Sequence, residues 1–128
     1  MLAAFTVMQQ HPFTEEKVEL RALGWLADKG FQLIRQNWQY CQNSVDIIAL
    51  YANQLHFISV ATRKFPESGL SCEGITRRKI LSFLQASQQY MKLNPQWEEV
   101  IIDILTVTLI REEPMDCVMT RNVKVVCC

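Results

Sequence analysis

Apolar residues recur with helical period in two parts of the chain, which predicts two helices. The first follows Thr14, which can cap a helix, and stops at Gly30, which can form a left-handed C-terminal cap. The second covers residues 76–93 and stops before Asn94-Pro95, because proline cannot continue a helix. Each stripe of apolar residues must pack against another element. The predicted inner faces are Val18, Ala22, Trp25 and Leu26 in the first helix, and Ile80, Phe83, Leu84, Ser87, Tyr90 and Met91 in the second.

Strand-like composition fills the segments between and after these helices. Residues 31–40 alternate imperfectly, which predicts an edge strand. Residues 44–64 predict a hairpin with a tight turn at Ala52-Asn53, and both of its strands are apolar on both faces, as in central strands covered by helices. Residues 99–110 are nearly continuous in β-branched residues, which predicts a central parallel strand. A polar hairpin or loop over residues 111–117 then leads to a strand-like tail.

The order of these elements predicts an α/β fold. It runs helix-strand-strand-strand-helix-strand, which gives a mixed sheet with helices on both faces and a right-handed crossover between the third and fourth strands. With 128 residues, of which 49% are hydrophobic, the chain is long enough for one core. We predict an N-terminal arm over residues 1–13 and a single domain over residues 14–128.

Charge and cysteine content narrow the classes of function. The 13 basic and 13 acidic residues give no net charge, so any binding to nucleic acid must use a local patch. We predict neither a signal peptide nor a membrane partner, since no apolar run approaches the ~20 residues of a membrane span. The five cysteines are scattered without a CxxC pair, which argues against a zinc site and for a reducing cytoplasm. Cys127-Cys128 is interpreted as a pair of strand or tail thiols rather than a redox centre.

The histidines and tryptophans are interpreted as structural. His11 and His56 have no ligand or nucleophile partner at motif spacing. The three tryptophans, Trp25, Trp38 and Trp97, do not interleave with basic residues, so they are predicted to anchor the core or an interface rather than to stack on bases.

Two acids interrupt apolar strands. Asp46 lies in the first strand of the hairpin and Asp103 in the strand over residues 99–110. A buried carboxylate is costly unless it is paired or binds a metal, so each has a partner or marks a site. The structural alternative for Asp46 is a carboxylate bonded to backbone amides or to Lys79, and for Asp103 a buried, hydrogen-bonded acid.

Basic residues crowd the first turn of the second helix. Arg77, Arg78 and Lys79 oppose the helix dipole there, which indicates an anionic partner or neighbouring acids, with a solvated charged turn as the alternative. Arg63 and Lys64 end the hairpin and would complete a phosphate-binding patch.

Five segments, taken in order, resemble the YraN family of small endonuclease-like proteins, also described as Holliday-junction-resolvase-like. They are VELRALGWLADKGFQLIRQNWQ, SVDIIAL, LHFISVATR, ITRRK and IIDILTVTL. The resemblance runs from about Glu16 to Leu109 and implies a restriction-endonuclease-like core of the PD-(D/E)xK class.

The resemblance also implies where a nuclease site would lie. It places the family's acids on Glu19, Asp46 and Asp103 and its second-helix lysine on Lys79. The acid and lysine of the family's ExK triplet, however, fall on Ser59 and Ala61, and its Gly-Glu pair falls on Asn43-Ser44.

These departures remove groups that the chemistry needs. In an intact site of this kind, carboxylates hold Mg²⁺ or Mn²⁺ and the lysine helps to activate water. Ser59 supplies only a neutral oxygen and Ala61 supplies nothing. Glu19 and Asp46 are therefore expected to be the remnant of a site, and they would be the metal ligands if any activity remained; otherwise no cofactor is expected.

Three hypotheses follow. In the first, the nuclease fold is kept, catalysis is lost, and DNA is bound through Arg63, Lys64, Arg77, Arg78 and Lys79. In the second, the protein is a metal-dependent DNA endonuclease in which Glu73 and Lys79 replace the missing acid and lysine. In the third, it is a structural or interaction domain that forms a homodimer through the tail strand and its cysteines.

Overall fold

Two helices and five strands make up the described part of the chain. The computed structural model describes residues 10–65, 77–97 and 99–121. The elements are α1 (Gln10–Asp28), β1 (Gln32–Tyr40), β2 (Asn43–Tyr51), β3 (Gln54–Phe65), α2 (Arg77–Leu93), β4 (Val100–Ile110) and β5 (Glu113–Thr120). The strands form one sheet in the order β1-β2-β3-β4-β5, in which β3 and β4 are parallel and the other neighbours antiparallel. The predicted α/β class, mixed sheet and central parallel strand are confirmed.

Each helix covers one face of the sheet. The alternation of β2 and β3 sends Ile47 and Ile58 to the α1 face, and Ile48 and Phe57 to the α2 face. This explains why both strands are apolar on both faces. The buried residues on the α1 face include Val18, Ala22, Leu26, Leu105 and Val107, and those on the α2 face include Val45, Leu55, Phe83, Ala86 and Tyr90.

The first helix begins earlier than its sequence indicated and ends as predicted. It starts at Gln10 rather than after a cap at Thr14, since a proline such as Pro12 is tolerated in a first turn, where its missing N–H has no intrahelical partner. At the other end, Gly30 has φ 97°, and the Phe31 N–H donates to the Leu26 carbonyl at 3.0 Å. This is a Schellman cap, and it directs Phe31 into the core.

Two-residue turns join β2 to β3 and β4 to β5. Ala52 and Asn53 have φ of 53° and 62°, and the predicted turn between β2 and β3 is confirmed. Arg111 and Glu112, with φ of 54° and 66°, join β4 to β5 in the same way. The polar hairpin or loop predicted over residues 111–117 is a hairpin, but the predicted length is wrong, because two residues suffice to reverse the chain and β5 begins at Glu113.

Some predictions concern residues outside the described ranges. The N-terminal arm lies there up to residue 9, as do the connection over residues 66–76 with Glu73, and the terminal Cys127-Cys128. Within the described ranges, neither helix combines the length and apolar character that crossing a membrane requires.

The position of the candidate site depends on where β2 leaves β3. Their pairing runs from Tyr51–Gln54 to Ile47–Ile58 and goes no further, whereas β3 stays paired with β4 as far as Phe65–Ile110. Beyond Ile58, one side of β3 therefore lies open to side chains from β2 and α2.

Candidate functional site

The backbone of Val60 is held by two of the residues that the sequence singled out. Its N–H donates to Oδ2 of Asp46 at 2.8 Å, and its carbonyl accepts from Nζ of Lys79 at 3.2 Å. Val60 lies two residues beyond Ile58, the last residue of β3 that pairs with β2, so its N–H and C=O would otherwise lack strand partners. One side chain from β2 and one from α2 thus replace the missing strand. For Asp46, the arrangement observed is the predicted structural alternative, a carboxylate bonded to a backbone amide.

The positions of the family's ExK acid and lysine lie beside this contact and are buried. Ser59 and Ala61 are 4% and 2% exposed. Like Phe57, they lie on the face of β3 that is covered by α2. The Ser59 hydroxyl has no hydrogen-bond partner within the described part of the chain. A neutral oxygen and a methyl group therefore occupy the positions that would carry the acid and the lysine.

The donor atoms present do not fit a Mg²⁺ or Mn²⁺ site. Such hard cations take several oxygen ligands with enough negative charge to offset lost hydration. Asp46 is a single carboxylate already bonded to an amide, and Glu19 accepts a hydrogen bond from Nδ2 of Asn37 on β1 at 2.8 Å. Among the residues described, no group of three or more His, Cys, Asp or Glu is arranged to hold a metal ion.

Two adjoining pockets form a groove between α2 and the start of β2, here called the α2 groove. The inner pocket encloses about 270 Å³ and the outer one about 360 Å³, and both are lined by Arg78 and Ser82. The inner pocket is also lined by Ser44, Asp46, Lys79 and Phe83, and the outer one by Asn43, Arg77, Leu81 and Gln85. The groove therefore combines three basic side chains with one acid, at the open side of β3.

Amide and hydroxyl groups fix the two walls of the groove together. Oδ1 of Asn43 accepts from the Ser82 hydroxyl at 3.0 Å, and its Nδ2 donates to Oε1 of Gln85 at 3.1 Å. Asn43 stands where the family resemblance expects a glycine, so the departure from the motif ties β2 to α2.

The five predicted phosphate-binding residues divide into groups. Arg77, Arg78 and Lys79 line the α2 groove. Arg63 shares the sheet face of Ser59 and Ala61, where its guanidinium lies 3.4 Å from the Thr108 hydroxyl. Lys64 alternates to the other face and lies 4.0 Å from the Glu112 carboxylate in the turn after β4.

Sequence reasoning missed a buried pair on the α1 face. Nδ1 of His56 lies 2.6 Å from Oδ2 of Asp103, and the two residues are 4% and 0% exposed. The rings of Phe31 and Tyr51 meet the imidazole edge-on at 5.2 and 6.0 Å. The sequence did mark both residues, since each is a polar residue inside an apolar strand. Predicting that they contact each other requires the parallel register of β3 and β4. Asp103 is the buried, hydrogen-bonded acid that was predicted.

The described cysteines are free thiols on different elements. Cys41 is exposed in the turn after β1, and Cys117 is partly buried on β5. Burial raises the pKa of the Cys117 thiol against the opposing effect of Arg21, which disfavours the thiolate that disulfide exchange requires.

Comparison with known proteins shows which protein family this chain resembles. The model of a family described as "Uncharacterised protein family UPF0102" matches residues 18–108, from α1 to β4. A UPF0102 protein of Phocaeicola vulgatus is 30% identical over 99 residues, covering 77% of this chain and 82% of that protein. One from Chlorobium limicola is 37% identical over 73 residues, 57% of each chain. One from Shewanella loihica is 28% identical over 98 residues, covering 77% of this chain and 86% of the relative.

Proposed function

This chain belongs to UPF0102, the YraN family with its restriction-endonuclease-like fold, and from that premise we propose that it binds nucleic acid through the α2 groove without hydrolysing it. The observation that carries the proposal is the Val60 contact. Asp46 and Lys79, two of the groups that a nuclease site would use, both bond to the backbone of Val60, between Ser59 and Ala61.

The proposed loss of hydrolysis is supported by the absence of an acid at Ser59 and of a lysine at Ala61. Metal-assisted cleavage of a phosphodiester needs carboxylates that hold the cation and a group that activates water or offsets developing charge. A general acid-base group of this kind contributes ~10²–10⁴ in rate, and residues acting as a unit are not replaced singly. Ser59 and Ala61 can supply neither function.

Binding to nucleic acid is supported by the basic residues of the α2 groove. Arg77 and Arg78 are exposed and line an open groove in a chain of zero net charge. Guanidinium groups suit phosphate oxygens, which they can contact with two parallel hydrogen bonds. Binding should therefore be electrostatic, local and sensitive to salt.

The binding proposal is tested by the salt dependence of affinity. Fluorescence anisotropy with labelled single-stranded and duplex oligonucleotides, over a series of NaCl concentrations, gives the slope of log K against log[salt]. Removing two phosphate contacts in Arg77→Ala/Arg78→Ala should make that slope shallower by about 1.4 for single strands and about 1.8 for duplex. The matched control, Lys92→Ala/Arg111→Ala, removes the same charge from exposed positions outside the groove and should leave it unchanged. Equal slopes for both double variants would refute the binding site.

The absence of hydrolysis is tested separately. Supercoiled and branched DNA incubated with the full chain and Mg²⁺ or Mn²⁺ should remain intact. Cleavage that disappears in Asp46→Ala, while circular dichroism shows that the variant is folded, would instead establish a metal-dependent endonuclease. The Arg77→Ala/Arg78→Ala variant serves as a second check, because a contaminating nuclease would be indifferent to both changes.

A further inference from the structure

An exposed aromatic ring lies on the outermost strand on the α2 side of the sheet. Tyr40, near the end of β1, is 39% exposed, and its ring lies nearly parallel to that of Trp38, with centroids 6.2 Å apart and planes 10° apart. Trp38 in turn meets the ring of Tyr90 on α2 edge-on at 5.3 Å. The core thus fixes the inner ring, while the outer ring remains accessible.

This ring adjoins the α2 groove. Tyr40 and Asn43 are directly paired across β1 and β2, and side chains so paired share a face about 5 Å apart. Asn43 bonds to Ser82 and Gln85 and lines the outer pocket together with Arg77. Going inward from the edge, the surface is first aromatic, then rich in amides, then basic.

This sequence of chemistries matches an unpaired nucleotide better than an intact duplex. Proteins that bind single strands combine a basic groove for the phosphates with aromatic rings on which bases stack. Bases in a duplex are already stacked on each other, so their faces are closed to a side chain. Amide groups such as those of Asn43 and Gln85 can bond to base edges or to sugars.

We infer that the α2 groove binds single-stranded nucleic acid, with a base stacked on Tyr40 and the adjoining phosphates on Arg77 and Arg78. The inference rests on the proposed function and specifies its ligand. Trp38 packs against the core, as predicted, and its ring lies beside that of Tyr40, which can stack on a base.

The test compares ligands and variants by fluorescence anisotropy of the full chain under reducing conditions. The probes are labelled oligo-dT and oligo-rU of equal length and a blunt hairpin duplex. The wild type should bind at least one single-stranded probe about tenfold more tightly than the duplex. Loss of one stacking contact in Tyr40→Ala should weaken binding of that probe by about tenfold or more.

Further variants separate stacking from folding. Tyr40→Phe keeps the ring and should bind as the wild type does, whereas Tyr40→Leu keeps apolar bulk without a π face and should bind as weakly as Tyr40→Ala. Leu33→Ala, an exposed apolar position on the same strand, should have no effect. Circular dichroism and thermal melts establish that each variant is folded.

The outcomes distinguish this inference from the proposed function. If single strands and duplex bind equally and Tyr40→Ala changes neither, while Arg77→Ala/Arg78→Ala weakens both, then stacking is wrong and groove binding stands. If Tyr40→Leu retains wild-type affinity, stacking is again excluded. If no probe binds with salt dependence, both proposals fail.

Discussion

At Asp46, a carboxylate takes the place of a neighbouring strand. The backbone groups of β3 would normally pair with β2, but beyond Ile58 they have side-chain partners, Asp46 for the Val60 N–H and Lys79 for the Val60 carbonyl. Leaving such groups unpaired and partly buried is costly. Asp46 can therefore be required for stability even where no metal or substrate requires it.

This role makes a prediction about Asp46 variants. Asp46→Ala leaves the Val60 N–H without its acceptor and should lower the free energy of unfolding by about 1–3 kcal/mol. Asp46→Asn keeps a carbonyl oxygen that can accept the same bond, so it should lose less. Urea denaturation followed by circular dichroism measures both.

Asp28→Ala is the control for this comparison. It removes an exposed carboxylate at the C-terminal end of α1, where negative charge is unfavourable, and should be neutral or slightly stabilising. An Asp46→Ala variant as stable as Asp28→Ala would show that the bond to Val60 contributes nothing.

At the scale of elements, the sequence predicted best where local preference and tertiary structure agree. The continuous β-branched run predicted a central parallel strand, and Asn53 marked a turn because asparagine tolerates positive φ. The turn at Arg111-Glu112 carries no such signal, since neither residue type favours that conformation. There, strand pairing on both sides overrides local preference, and the connection was predicted to be too long.

The residues of the candidate site could be predicted from the sequence, but their contacts could not. A carboxylate in an apolar strand is conspicuous in a sequence, so Asp46 was singled out. Its partner is a backbone amide, which every residue but proline has, and nothing in the sequence marks Val60. The sequence also does not predict where β2 separates from β3, because no proline or glycine interrupts either strand there.

At the scale of the whole molecule, β3 and β4 join parts of the chain that are distant in sequence. Their pairing is parallel and spans both strands, from Leu55–Val100 to Phe65–Ile110. A connection containing α2 must be closed before these contacts form, which costs loop entropy. Interactions that stabilise the register of β3 and β4 therefore stabilise the entire sheet. The buried contact of His56 with Asp103 is one of these interactions.

Breaking this pair from one side should be costly. His56→Phe removes the imidazole that bonds to Asp103, a residue that is 0% exposed. Removing one member of a buried hydrogen-bonded or ionic pair typically costs about 1–5 kcal/mol, whereas replacing both members with apolar residues is often much less harmful. We therefore expect His56→Phe/Asp103→Leu to be more stable than the sum of the two single losses predicts. Urea unfolding of the wild type, both single variants and the double variant completes the cycle, and strictly additive losses would mean that the two side chains are not coupled.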